Sequence, residues 1–155
     1  MTFVQKAVLF LGTGLMIGKI PVAPGTFGSV AGIVLCLALA PLSMTAATAA
    51  AILFILFSVW IADRSVRILG TKDPGCIVID EIAGMVVTLY GMPMDVAVVL
   101  AGFVLFRLLD ISKPLGIRRL EKLPGGLGVV ADDVAAGVVG NLVLRLGLAL
   151  FTAAT

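Results

Sequence analysis

Between Lys19 and Asp63 the chain carries no charged side chain. A run that long exceeds any one buried element of a small water-soluble domain, and it is too apolar to stay unfolded. Pro41, Leu42, Ser43, Met44 and Thr45 divide it into two apolar segments, 25–42 and 46–62. As helices of about 17–18 residues each spans ~26 Å, against a hydrocarbon core of about 30 Å, so each is just long enough to cross a bilayer. Composition agrees: 61% of the 155 residues are hydrophobic, 13% are charged, and the mean hydropathy is +1.21. Soluble domains carry roughly 25% charged residues, and a core of this size hides only about 70% of the chain surface. The excess must face lipid.

A second apolar block, 82–109, is interrupted at Gly91-Met92-Pro93-Met94-Asp95. That interruption reads as a hairpin between two short helices, 82–91 and 96–109, one of them tilted or lined by protein. A last segment, 134–151, carries Asn141 and Arg145. Residues 3–17, with Lys6 and Lys19 on one side, read as an interfacial helix. A cleaved signal peptide is the weaker reading, because no convincing small-x-small site follows the run. The expected fold is all-α, a polytopic membrane helix bundle of about four to five short membrane helices plus the N-terminal interfacial helix, forming one domain over residues 1–155.

Charge asymmetry orients such a bundle. With a cytoplasmic N-terminus and alternating segments, Lys6, Lys19, Arg64, Arg67, Lys72, Arg107, Lys113, Arg118, Arg119 and Lys122 all face the cytoplasm, and the opposite loops hold no Lys or Arg. Arg145 alone sits inside a span, where it must snorkel or pair. Eight of the nine acids fall on the same face, all but Asp95. Asp80, Glu81, Asp110, Asp132 and Asp133 are expected at helix ends, at one depth. Capping explains part of this, with Asp80 and Asp132 placed for it. The adjacent pairs Asp80-Glu81 and Asp132-Asp133 exceed what capping needs, and they repel each other unless a cation lies between them. Gly84, Ala136 and Gly137, four residues beyond these acids, would let the helices approach closely beneath them.

The chain has no histidine and only two cysteines, Cys36 and Cys76. His-based acid–base chemistry, His-ligated zinc and a disulfide framework are therefore excluded. A cysteine-phosphatase loop fails, since Leu42 and Ile82 stand where its Arg is required. P-loop and dinucleotide patterns fail around Gly12-Thr13-Gly14 and Gly18-Lys19, and nothing supports nucleic-acid binding. Hard oxygen ligands without His or Cys suit Mg²⁺. Lys113, one turn after Asp110, and Lys72 could neutralise phosphate oxygens. The glycine clusters at 24–28 and 125–128 could offer backbone N–H groups, although basic, Gly-rich loops are also ordinary beside a membrane.

Four blocks carry a resemblance: PVAPGTFGS from Pro21, KDPGCIVIDEIAGM from Lys72, FRLLDISKPLGIRRLE from Phe106 and GGLGVVADDVAAG from Gly125. In order and spacing, over essentially the whole chain, they resemble bacterial phosphatidylglycerophosphatase A. The resemblance implies a Mg²⁺-dependent phosphatase of the bacterial inner membrane, multi-pass, with its site on the cytoplasmic side. The implied reaction converts phosphatidylglycerophosphate, drawn from the membrane lipids, to phosphatidylglycerol and inorganic phosphate. It places Asp80, Glu81, Asp132 and Asp133 in the metal or catalytic motifs, with Asp110 and Lys113 in an Asp-x-x-Lys-Pro segment. Phosphate contacts are expected from Lys113 and Lys72, and from Gly25 and Thr26. The rival reading is a small transporter or channel subunit with a boundary cation site; acids clustered at one boundary rather than at the midplane favour an enzyme.

Overall fold

A computed structural model of the chain describes residues 1–71 and 74–154. Six α-helices follow one another: α1 (Phe3–Gly12), α2 (Pro24–Leu39), α3 (Met44–Leu69), α4 (Ile79–Thr88), α5 (Val96–Ser112) and α6 (Gly125–Ala154). Short 3-10 turns lie at Ile17–Lys19 and Ile117–Lys122, and no strand occurs among the described residues. The all-α expectation holds. Helices α3 and α6 are long and apolar enough to cross a membrane, about 39 and 45 Å at 1.5 Å per residue. Their flanks expose Leu53, Leu56 and Trp60 on α3, and Leu142, Leu146 and Leu150 on α6.

Three boundaries differ from the sequence expectation by more than one helical turn, each for a local reason. Helix α1 stops at Gly12 instead of continuing to 17, because Gly14, Leu15 and Met16 all take left-handed backbone angles, with φ of 55°, 58° and 78°. Helix α3 continues to Leu69 and takes in Asp63 and Arg67, which pair at 3.0 Å one turn apart. Helix α6 begins at Gly125, well before 134, so Asp132 and Asp133 lie about two turns inside it. Asp132 therefore caps no helix start. The glycines at 125–128 look like loop by propensity, but they are needed for contact. A Cβ on Gly126 would run into the backbone of Val59 and Asp63, and one on Gly128 into the Leu123 carbonyl.

Helix α4 is the centre of the bundle. It packs against α2, α3, α5 and α6, and Ile79, Asp80, Ile82, Ala83, Gly84, Met85, Val86 and Thr88 are all buried. Ten residues span only about 15 Å, half a hydrocarbon core; this is the short, protein-lined arm of the expected hairpin. Small residues let its neighbours close in. A Cβ on Gly28 would lie 2.8 Å from Val78 Cβ, and one on Gly32 would lie 2.6 Å from Met85 Cβ. Against α6, a Cβ on Gly137 would lie 2.5 Å from the Gly84 carbonyl oxygen.

The far end of α4 is closed by side chains of α6. Asn141 Nδ2 donates to the Thr88 and Tyr90 carbonyls, both at 2.9 Å. Arg145 donates to Asn141 Oδ1 at 2.8 Å and to the Tyr90 carbonyl at 3.0 Å. Arg145 thus pairs, and it places a cation at the negative end of a helix.

Gly137→Ala should separate α4 from α6 and cost about 1–3 kcal/mol, the usual range for overpacking. Gly147 has open space around it, so Gly147→Ala should be neutral or stabilising by up to about 1 kcal/mol. Thermal unfolding of the two variants in one detergent checks the contrast. Equal midpoints would show that the α4–α6 contact is looser than described.

Candidate active site

One polar cavity of about 400 Å³ opens where α2, α4 and α6 begin and α5 ends. Its walls carry Asp80, Glu81, Arg107, Asp110, Lys113, Glu121, Asp132 and Asp133, with backbone from Ala23–Gly25 and the glycines Gly125 and Gly128. The remaining cavities among the described residues are mostly apolar clefts between helices.

Asp80 and Glu81 occupy the first turn of α4, where the helix's unpaired N–H groups favour negative charge. Asp133 reaches them from α6. Oxygens of Asp80, Glu81 and Asp133 lie within 4.8 Å of one another, and Asp80 and Asp133 are 8% and 3% exposed. Asp80 Oδ1, Glu81 Oε2 and Asp133 Oδ2 are buried without a hydrogen-bond partner. Buried carboxylate oxygens are ordinarily paired or bound to metal. Three clustered carboxylates, each with one orphan oxygen and with no nitrogen or sulfur ligand among them, fit a hard divalent cation.

Asp132 stands apart from that group although it adjoins Asp133 in sequence. Neighbouring residues of a helix point about 100° apart, and Asp132 is turned toward α5. Lys113 Nζ donates to Asp132 Oδ2 and, at 2.8 Å, to Glu121 Oε1. Burial alone would lower the lysine, but the hydrogen bonds to Asp132 and Glu121 and the nearby carboxylate charges outweigh it and hold the ammonium above its ordinary value. Lys113 caps α5 with φ of 46°, a left-handed angle that turns the chain back across the cavity. Asp132 Oδ1 is left without a partner. Asp110 accepts from Arg107 Nη1 at 2.6 Å.

The structure thus brings Asp80, Glu81, Asp133, Asp132, Asp110, Lys113 and Gly25 to one cavity. Thr26 lies in the same turn of α2 as Gly25 but does not line the cavity, and Lys72 falls outside the described residues. Arg107 and Glu121 are site residues that the sequence reading treated only as boundary charges. The signal for Arg107 was its position three residues before Asp110, one turn away on a helix.

The family model of phosphatidylglycerophosphatase A matches residues 10–148. A protein of Bacteroides thetaiotaomicron, provisionally named a phosphatidylinositol-3-phosphatase, is 37% identical over 89% of this chain and 91% of its own length. Proteins named phosphatidylglycerophosphatase A from Escherichia coli and Haemophilus influenzae are 37% and 36% identical, each over 86% of this chain and over 79% and 84% of their own lengths. No solved structure matches the chain.

Lys113→Met should destabilise the protein by about 3 kcal/mol, the low end for breaking a buried pair because the lysine is partly exposed. Lys113→Met combined with Asp132→Leu should recover much of that loss. Because the folded-state lysine value is raised, the pair's contribution is complete below the ordinary value near 10.4 and fades only as pH rises through the folded value. Melting curves in detergent from pH 7 to 9.5 should therefore show no loss traceable to Lys113. A double variant less stable than Lys113→Met alone would overturn the pairing.

Proposed function

The chain belongs to the phosphatidylglycerophosphatase A family, and we propose that it is a Mg²⁺-dependent phosphatase hydrolysing phosphatidylglycerophosphate to phosphatidylglycerol and inorganic phosphate. The observation that carries this reading is the cluster of Asp80, Glu81 and Asp133, each with one buried unpartnered oxygen, in a cavity at one end of an apolar bundle. We further propose that the bundle is a multi-pass protein of the bacterial inner membrane with this cavity on the cytoplasmic side, the face that gathers the Lys and Arg residues. An anionic headgroup held at that boundary would reach the cavity while its acyl chains stay in the bilayer.

Asp80, Glu81 and Asp133 would hold Mg²⁺. When bound, the ion supplies Lewis-acid charge to a phosphoryl oxygen. Asp132 is placed differently: Lys113 fixes one of its oxygens, and the other is buried and unpartnered. That arrangement suits a carboxylate that orients a water and accepts its proton as the water attacks phosphorus. Lys113, shared with Glu121, keeps Asp132 in place and adds positive charge to the wall. Gly25 leaves room at the start of α2 for Glu81 and Arg107, and Asp110 holds Arg107 on that same wall.

The relative named for phosphatidylinositol 3-phosphate acts, by that name, on another lipid phosphomonoester. The same cavity chemistry would serve either headgroup, so substrate competition belongs in the test. Purified protein in mixed micelles should release phosphate from phosphatidylglycerophosphate with Mg²⁺, stop with a chelator, and prefer that lipid to phosphatidylinositol 3-phosphate. Uncatalysed phosphomonoester hydrolysis is among the slowest reactions, so Asp80→Asn and Asp132→Asn should each lower kcat by roughly 10³-fold or more while the protein stays monodisperse. Near-normal turnover in both would overturn the assignment.

A further inference from the structure

Two cations line the cavity among the described residues, Lys113 and Arg107, and they are used differently. Lys113 is engaged by two carboxylates. Arg107 spends Nη1 on Asp110 at 2.6 Å, while its Nε is buried and has no partner. Its side chain is only 17% exposed, so water does not readily satisfy that donor. Buried guanidinium groups normally fill their hydrogen bonds. A donor left open on a cavity wall marks a position for a ligand oxygen.

A second element meets Arg107 there. Gly25 lies in the first turn of α2, and a Cβ on it would sit 3.1 Å from Arg107 Nη1. Pro24 has no N–H and the Thr26 and Phe27 N–H groups bond the Ala23 carbonyl, which leaves the Gly25 N–H as the open donor at a helix end that favours anions. The forked cation of α5 and the positive end of α2 therefore share one wall. Asp80, Glu81 and Asp133 line the same cavity, and each leaves one buried oxygen without a donor. An anion with several oxygens satisfies both halves: one oxygen toward a cation held by the carboxylates, the others toward Arg107 and the α2 terminus. A planar guanidinium matches phosphate in a way that an ammonium does not.

We propose that Arg107 grips the phosphoryl group that is hydrolysed, and that Asp110 is the positioning residue that fixes its guanidinium. This rests on the phosphomonoester reading above, but not on the identity of the lipid. The ligand chemistry is a phosphate dianion, common to a lipid headgroup and to inorganic phosphate, and the smaller probe isolates it.

The test titrates inorganic phosphate, in the presence of Mg²⁺, into detergent-purified wild type, Arg107→Lys, Arg107→Ala and Asp110→Asn. Binding of Mn²⁺ alone, read by paramagnetic resonance, controls for the carboxylate cluster and for folding. Phosphate affinity should fall by about tenfold or more in Arg107→Ala and nearly as far in Arg107→Lys, which keeps the charge but loses the fork. Asp110→Asn should fall between these and wild type. Mn²⁺ binding should stay within about twofold throughout. If Arg107→Ala fails to fold, Arg107→Lys carries the comparison alone. Phosphate affinity within about twofold of wild type in the Arg107 variants, parallel loss of Mn²⁺ binding, or no phosphate binding by wild type would each overturn the proposal. If wild type binds phosphate through Arg107 yet leaves phosphatidylglycerophosphate intact, the lipid assignment fails and the role of Arg107 stands.

Discussion

Where α4 crosses α6, backbone touches backbone. A Cβ on Gly84 would lie 2.8 Å from the Asp133 carbonyl oxygen and 2.5 Å from the Phe106 ring, and one on Gly137 would lie as close to the Gly84 carbonyl. Side chains of any size here would push the helices apart. Asp133 would then be carried away from Asp80 and Glu81, whose oxygens it must approach within 4.8 Å. Like charges at that range repel strongly when water is excluded. Helix packing supplies the opposing force: α4 is surrounded by four helices, and the apolar surface buried along it holds the three carboxyl groups together.

The same face of α6 resolves a second difficulty. A helix of ten residues leaves a large share of its backbone groups unpaired at its two ends, and these need partners from elsewhere. Along α6, Asp133, Gly137, Asn141 and Arg145 follow at four-residue spacing, so they form one row beside α4. Asp133 stands with the acids at the first turn of α4, Gly137 gives the close approach, and Asn141 with Arg145 takes the last carbonyls. Stability and site geometry are therefore coupled through a single helix face. Arg145, which a sequence reading flags as an isolated intramembrane charge, becomes the cap of the helix that carries two of the three clustered acids.

Much of this was legible in the residues. The apolar segments, the hairpin break at Gly91–Asp95, the small residues beneath the acids and the convergence of the carboxylates follow from charge spacing and periodicity. What escaped was set by tertiary contact. Gly125–Gly128 carries loop composition, and only the backbone of α3 against Gly126 explains why a helix starts there. That error misplaced Asp132 at a helix start. The division of labour between Asp132 and Asp133 was also hidden, because adjacency in sequence suggests a shared role while helix geometry turns them to different partners. Arg107 was visible only as a topological charge, since its unpaired Nε exists only once Asp110 and the start of α2 are in place.

The charge inventory of the cavity sets an order of events. Asp80, Glu81, Asp110, Glu121, Asp132 and Asp133 face it, against Arg107 and Lys113. Both cations already answer to carboxylates on the same walls. If the carboxylates are ionised, a phosphate dianion entering such a cavity meets a net negative field, and one guanidinium donor with a helix terminus cannot reverse it. On the proposed reading, the divalent cation must therefore enter first. Asp80, Glu81 and Asp133 would hold it, and with their charge offset the wall formed by Arg107 and α2 would become the attractive part of the site. Anion affinity would then be conditional on the metal, and by linkage the anion would strengthen metal binding by the same factor. The apolar bundle makes that conditionality sharp, because the low-dielectric surroundings that raise the cost of the bare acids also strengthen each contact once the charges are balanced.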